Sequence, residues 1–373
     1  MLFDEPQSTA KRPIPLKRLL RHPVADFESL ESAALMVGAA VFVVVAAVSV
    51  FVFWGYDVPI AGPGSIGQYV AFTAALATIV VFVAARILVS GGSAPGARSN
   101  DRLSAPGVRL RWYDIAAIAL AHSGIALLGW LGMASLLDRS FQGAVVFPIS
   151  AAVLAAAAVA VTAYAVFLSA VHLTPMLLSV VLVVFLVVGC FASMLSATDP
   201  LWWQKNLSTL GIPDDVSALA FNITLIVGGV IVTVIAHFAT ASLPATSPKE
   251  QRGRGIVRGG LVLMGVLLAC VGLFPLDRSI TLHNISATGM AITFGVLAIG
   301  LGRFVPSMPR VFVLLGYVFV AAIVVLAILF ATGYFTLTAV ELIAFLLIFS
   351  WLIVFLRNAG EPGDGTRSTR ADG

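Results

Sequence analysis

The chain reads VFVLLGYVFVAAIVVLAILFAT over 311–332, breaks briefly, and continues TLTAVELIAFLLIFSWLIVFL over 336–356. Each run is long and apolar enough for a helix that crosses a bilayer, which takes about 20 mostly apolar residues for about 30 Å of hydrocarbon. Basic residues flank the pair at its far ends, Arg303 and Arg310 before it and Arg357 after it, and none lies in the connecting turn. The segment is therefore a transmembrane hairpin with its open ends on one side and its turn on the other.

Outward from this hairpin the pattern repeats. Further runs occupy 34–55, 67–90, 113–137, 146–171, 175–197, 216–242, 258–275 and 283–302, which predicts ten spans in all. The division within 146–197 rests on a short turn, His172–Leu173–Thr174–Pro175, where Thr174 suits a helix cap and Pro175 the first helical position. Composition agrees. The chain is 60% hydrophobic and 11% charged, against about 25% charged in a soluble domain. Backbone facing lipid has to satisfy its own hydrogen bonds, and the runs are continuous rather than alternating. An all-α polytopic bundle is expected, and a β-barrel is not.

Charge orients it. Of the 22 Lys and Arg residues, all but Arg139, Lys205 and Arg278 fall on one side of the ten spans. Positive loops stay in the cytoplasm, so both termini are predicted to be cytoplasmic in a plasma-membrane protein. The net charge of +4 lies beside the spans and does not suggest nucleic acid. Organisation follows: a cytoplasmic segment 1–33, a two-span hairpin 34–90, a Gly/Ser/Pro/Arg-rich linker 91–112, an eight-span core 113–356 and a disordered tail 357–373. Residues 1–33 do not read as a cleavable signal peptide. Within them, 14–31 place Leu16, Leu19, Leu20, Phe27 and Leu30 near helical spacing, suited to the inner interface or a plain linker.

Two outer loops concentrate the polar residues: TDPLWWQKNLSTLGIPDD (198–215) and FPLDRSITLHNISATG (274–289). Both contain Asn-[Leu/Ile]-Ser-x-x-Gly, as Asn206, Ser208 and Gly211 and again as Asn284, Ser286 and Gly289. The copies fall on the same face, as in a parallel internal repeat. The candidate outer polar cluster comprises Asn206, Ser208, Asp214, Asp215, Asn222, Asp277, Arg278, His283, Asn284 and Glu341. Capping competes with this reading. Asp214 or Asp215 can cap the span from 216, and His283 or Asn284 can start the next. Trp202 and Trp203 suit an interfacial aromatic belt or the wall of a lipid groove.

Glu341 sits a turn or two inside the last span, where an acid is costly and marks function by default. Arg278 and His283 are its nearest expected partners by depth. His122 lies near mid-span and reads as hydrogen-bonded to a neighbouring helix. The histidines are too scattered for a zinc site, which needs three or four ligands at one depth. Cys190 and Cys270 lie in apolar runs and read as small hydrophobes. No metal or cofactor is expected, and no nucleophile elbow, phosphate loop or zinc-helix motif occurs.

The segments NLSTLG (206–211), FNITLIVGG (221–229), GLFPLD (272–277) and HNISATG (283–289) resemble the domain-of-unknown-function 998 family of multi-span prokaryotic membrane proteins, over roughly 113–356. The family often has Ser-Asp-Leu-Gly in the first motif, where this chain has Thr209 in place of the acid. The resemblance implies architecture and an outer cluster, and no activity.

Several functions compete. One is a protein that binds or moves a membrane lipid or small amphiphile at an outward polar site. Another is an intramembrane lipid hydrolase or transferase using His283, Asp277 and Glu341, which requires a nucleophile within reach of its base. A third is an assembly subunit whose polar residues only join helices. A transporter is the weakest, since paired Gly/Pro breaks at mid-span are not evident.

Overall fold

The computed structural model describes residues 27–91, 111–212, 216–241 and 243–360. Ten helices fill it: α1 Phe27–Val52, α2 Ile66–Gly91, α3 Trp112–Ser140, α4 Pro148–Val171, α5 Pro175–Ser196, α6 Val216–Ala241, α7 Pro248–Leu273, α8 Leu276–Phe304, α9 Arg310–Ala331 and α10 Leu337–Gly360. All ten are long and apolar enough to cross a membrane. Even the shortest, with 22 residues, reaches about 33 Å at about 1.5 Å per residue. The protein is a multi-pass helical membrane protein.

Helix boundaries differ from the hydropathy reading at polar ends, where capping decides them. α7 begins at Pro248 rather than 258 because Ser247 and Glu250 form a capping box: Glu250 N–H donates to Ser247 Oγ (3.2 Å) and Ser247 N–H to Glu250 Oε2 (3.1 Å). At the turn before α5, Thr174 Oγ1 accepts the Leu177 N–H at 3.0 Å and Pro175 opens the helix, as the sequence predicts. α8 begins at Leu276 and breaks at Ser279, whose φ of −160° and ψ of 91° are extended. Ser279 Oγ then accepts the Leu282 N–H at 3.4 Å. Ser279, not His283 or Asn284, therefore restarts the helix. His283 and Asn284 lie a turn inside it.

Successive helices alternate direction, which gives the bundle two ends. One carries the connections after α1, α3, α5, α7 and α9 and is called the loop end here. The other carries Arg86, Arg111, Arg258 and Arg303 and is the basic end. At the loop end Val58–Pro59 (β1) pairs antiparallel with Val145–Val146 (β2), clipping two connections together.

The first two helices do not form a hairpin of their own. α1 packs on α4, and α2 packs on both α3 and α4. The reason is α4 itself: Ala151, Ala152, Ala155, Ala156 and Ala163 are buried, and small side chains let neighbouring backbones approach where lipid offers no hydrophobic drive. A Cβ on Gly38 of α1 would lie 3.4 Å from the Ala160 carbonyl oxygen of α4. The predicted boundary between a hairpin at 34–90 and a core from 113 thus does not coincide with a packing boundary. The linker around 92–110 and the tail from 361 lie outside the described residues, as does most of the predicted interfacial stretch 14–31; its last residues belong to α1.

From α5 to α8 each helix packs on the next, α9 lies against α8 and α10, and α10 returns to α5 and α6. α6 and α7 cross closely. Gly229 and Gly265 face each other, and a Cβ on Gly265 would lie 2.5 Å from the Gly229 carbonyl oxygen and 3.0 Å from the Thr233 nitrogen. The compact α5–α8 arrangement brings the two polar loops to one place.

Candidate functional site

The connection between α5 and α6 carries two 3-10 turns, Trp202–Gln204 and Leu207–Gly211. The residues in and around Leu207–Gly211 make two groups of contacts.

The first group fastens the segment to the bundle. Leu207 N–H donates to Glu341 Oε2 of α10 at 2.6 Å. The first N–H of a helix has no partner within it. Here a carboxylate from a distant helix supplies one, while the Asn206 side chain makes no cap and its Oδ1 accepts from Thr209 Oγ1 (3.0 Å). Ser208 Oγ lies 3.0 Å from His283 Nε2, and His283 Nδ1 lies 3.0 Å from the Phe274 carbonyl oxygen. In the neutral ring Nδ1 therefore carries the hydrogen and donates to Phe274, and Nε2 accepts from the Ser208 hydroxyl; this tautomer follows from the hydrogen-bond network. Asn222 Nδ2 of α6 donates to the Gly211 carbonyl at 3.0 Å. Ser217 Oγ reaches the Ser193 carbonyl of α5 at 2.9 Å. Ser208 and His283 are buried.

This corrects the expected pairing of Glu341. Among the described residues it forms no ion pair with Arg278 and no hydrogen bond with His283; its partner is a backbone N–H. Asp277 and Arg278, just before the α8 break, and Asn284 beyond it are exposed and belong to neither group. Asp214 and Asp215 lie outside the described residues, as does their expected role in capping α6. Of the predicted cluster, the structure brings together Asn206, Ser208, Asn222, His283 and Glu341. The hydrogen bond from Ser208 to His283 also places the first Asn-x-Ser motif beside the second.

The second group forms a cleft on the other side of the same segment. Its volume is about 510 Å³, and its wall includes Trp202, Lys205, Asn206, Thr209, Ile212 and Asp199. Thr209 belongs to the second 3-10 turn, and Asn206 and Ile212 flank it. Asp199 Oδ2 and Lys205 Nζ form an ion pair at 3.0 Å at its rim, with side chains 41% and 61% exposed. The Leu201 N–H on Asp199 Oδ1, with Lys205, holds the Asp199 carboxyl below its ordinary pKa, so among the described residues the rim carries one charge of each sign. Asp199, Trp202 and Lys205 were not assigned to the cluster from sequence. An acid and a base six residues apart across a Trp-Trp pair is the signal that could have found them.

Chemically, Ser208 and His283 have the spacing of a nucleophile and its base. The surroundings do not suit acyl transfer. Ser208 is buried and does not line the cleft. The nearby N–H groups that could hold an oxyanion are engaged, Leu207 with Glu341 and Thr209 with the Asn206 carbonyl (3.2 Å). The same device also recurs inside the bundle: His122 of α3 places Nδ1 on the Ile118 carbonyl (2.8 Å) and Nε2 on Ser169 Oγ of α4 (2.7 Å). A buried histidine satisfied by one carbonyl and one serine is how this fold joins segments. Among the described residues no three His, Cys, Asp or Glu side chains gather as a metal site would need.

The role of Glu341 can be separated by substitution. Glu341→Gln keeps an oxygen that accepts the Leu207 N–H, whereas Glu341→Leu leaves that buried donor unpaired at a cost of about 1–3 kcal/mol. The leucine variant should therefore lose stability in detergent and gain protease cleavage near Leu207, while the glutamine variant stays close to wild type. Equal loss in both variants would show that the charge, not the hydrogen bond, holds the segment.

Compared with family models, curated proteins and solved structures, the chain matches none.

Proposed function

We propose that this multi-pass protein resides in the plasma membrane with both termini cytoplasmic, and binds a lipid or small amphiphile in the outward-facing cleft between α5 and α6. The cleft supports this reading most directly. Its volume falls within the range of about 300–1,000 Å³ typical of ligand sites. It combines apolar wall from Leu210, Ile212 and Ala197 with polar groups from Asn206, Thr209 and Ser217. Trp202 suits the membrane interface, where an aromatic ring meets both hydrocarbon and head groups. The segment that forms it is held in place by Ser208, Asn222, His283 and Glu341, which is how a binding wall keeps its shape without using those residues on the ligand. The one-sided distribution of Lys and Arg supports the orientation. The motifs NLSTLG and HNISATG lead us to propose membership of the domain-of-unknown-function 998 family as well, which adds no activity.

A single cysteine tests orientation and occupancy together. Thr209→Cys, with Cys190 and Cys270 replaced by alanine, places one thiol in the cleft. In intact cells it should react with a membrane-impermeant maleimide. In purified protein, added phospholipid should slow that reaction several-fold. Reaction only after permeabilisation would reverse the orientation, and a rate indifferent to phospholipid would remove the binding reading.

A further inference from the structure

Resting on that reading, we infer that the ligand group taken by the cleft is dipolar, a phosphate and an ammonium joined by a short linker, as on a zwitterionic phospholipid. Among the described residues the charges that line the cleft are Asp199 and Lys205, one of each sign, 3.0 Å apart. A site for an anionic group would present cations in excess, and one for a simple cation would present acids. Among the described residues this rim does neither.

The pair is also easy to divide. The Lys205 side chain is exposed and that of Asp199 partly so, and ion pairs open to solvent contribute little to stability. A ligand that carries both charges can replace the internal pair by two of its own. Its phosphate oxygens meet Lys205 Nζ, a compact cation with three donors. Its ammonium meets the Asp199 carboxylate. Asp199 keeps its place meanwhile, because Oδ1 accepts the Leu201 N–H at 2.9 Å independently of Lys205. Trp202 lines the same cleft, and an indole face is the strongest of the aromatic rings for a cation, quaternary ammonium groups included. Asn206 and Thr209 complete a polar floor, with Leu210 and Ile212 as apolar wall for the first carbons of the chains.

The test uses the full chain in detergent and native mass spectrometry, with phosphatidylcholine, phosphatidylethanolamine and phosphatidylglycerol offered in equal amounts. A water-soluble competitor, glycerophosphocholine, distinguishes a lipid from a free dipolar compound. Wild type should retain the two zwitterionic lipids about tenfold over phosphatidylglycerol, a difference typical of one well-placed charge contact. Asp199→Asn should reverse that preference toward phosphatidylglycerol, and Lys205→Gln should weaken all three. Trp202→Leu should weaken phosphatidylcholine about fivefold. Ala197→Trp, at a half-exposed position of the wall, should fill the cleft and abolish retention.

Retention of all three lipids to equal extent, lost in Ala197→Trp but unaltered by Asp199→Asn, overturns the dipolar inference and leaves amphiphile binding standing. Retention indifferent to Ala197→Trp overturns both. Binding of glycerophosphocholine without any lipid keeps the dipolar group and overturns the lipid.

Discussion

Gly265→Leu should push α6 and α7 apart and sharply weaken the bundle. An alanine at this position would already place its Cβ 2.5 Å from the Gly229 carbonyl oxygen, 2.5 Å from Thr233 Oγ1 and 3.0 Å from the Thr233 nitrogen. Two of those atoms are backbone, so no side-chain rotation relieves the clash and a helix has to move. Overpacking in a well-filled interior costs about 1–3 kcal/mol, and leucine at a backbone contact belongs at the top of that range or above. With about 2–4 °C of Tm per kcal/mol for larger domains, a loss of about 6–12 °C in detergent is expected, with a smaller loss for Gly265→Ala. Gly259, on the same helix, provides the control, since a Cβ there meets nothing within 4 Å. Gly259→Ala should be neutral or stabilising by up to about 1 kcal/mol, because alanine favours a helix over glycine. Equal Tm values for Gly265→Leu and wild type would mean that α6 and α7 do not cross at this point.

The sequence shows this crossing only as two glycines in two apolar runs, and that limit is general for the molecule. Hydropathy found all ten helices, because an apolar run of bilayer length has few other structures open to it. It placed helix ends less well. The start of α7 at Pro248 was legible in Ser247 and Glu250 as a capping box, but a hydropathy window discounts Lys249, Arg252 and Arg254. The break at Ser279 was not legible, since several residues around it could cap a helix. Depth along each span was readable from position, and it placed Asn206, Ser208, His283 and Glu341 near one end of the bundle. Rotation about each helix was not. An apolar face in lipid and an apolar face in the core have the same composition, so the expected pairing of Glu341 with Arg278 or His283 rested on depth alone. The structure turns Glu341 to a backbone N–H instead. Asp199 and Lys205 were missed for the converse reason: in a loop, neither depth nor period marks which charges meet.

His283→Leu should loosen the 206–212 segment more than any other single change at the loop end. The ring bridges two groups, the Ser208 hydroxyl and the Phe274 carbonyl, each at 3.0 Å. Leucine fills a similar space and satisfies neither. A buried polar group left without a partner costs about 1–3 kcal/mol, so the variant should lose about 2–4 kcal/mol in all. Ser208→Ala should cost less, because His283 keeps its bond to Phe274. If the two residues act on each other, the double variant should cost less than the sum of the singles by about 0.5–3 kcal/mol, the usual coupling of directly bonded groups. Stability alone does not separate a structural pair from a catalytic one, so the same variants need a chemical readout. A serine-reactive fluorophosphonate should leave wild-type Ser208 unmodified, because Ser208 is buried and the Leu207 and Thr209 N–H groups are already engaged. The structural reading therefore expects a large stability loss, measurable coupling and no labelling. Labelling of Ser208 that disappears in His283→Leu, in protein that stays folded, would instead make the pair a working nucleophile and base. His122 and Ser169 supply the comparison within the same chain. They share the arrangement of carbonyl, imidazole and hydroxyl, so His122→Leu should show a similar loss of stability and Ser169 should likewise remain unlabelled.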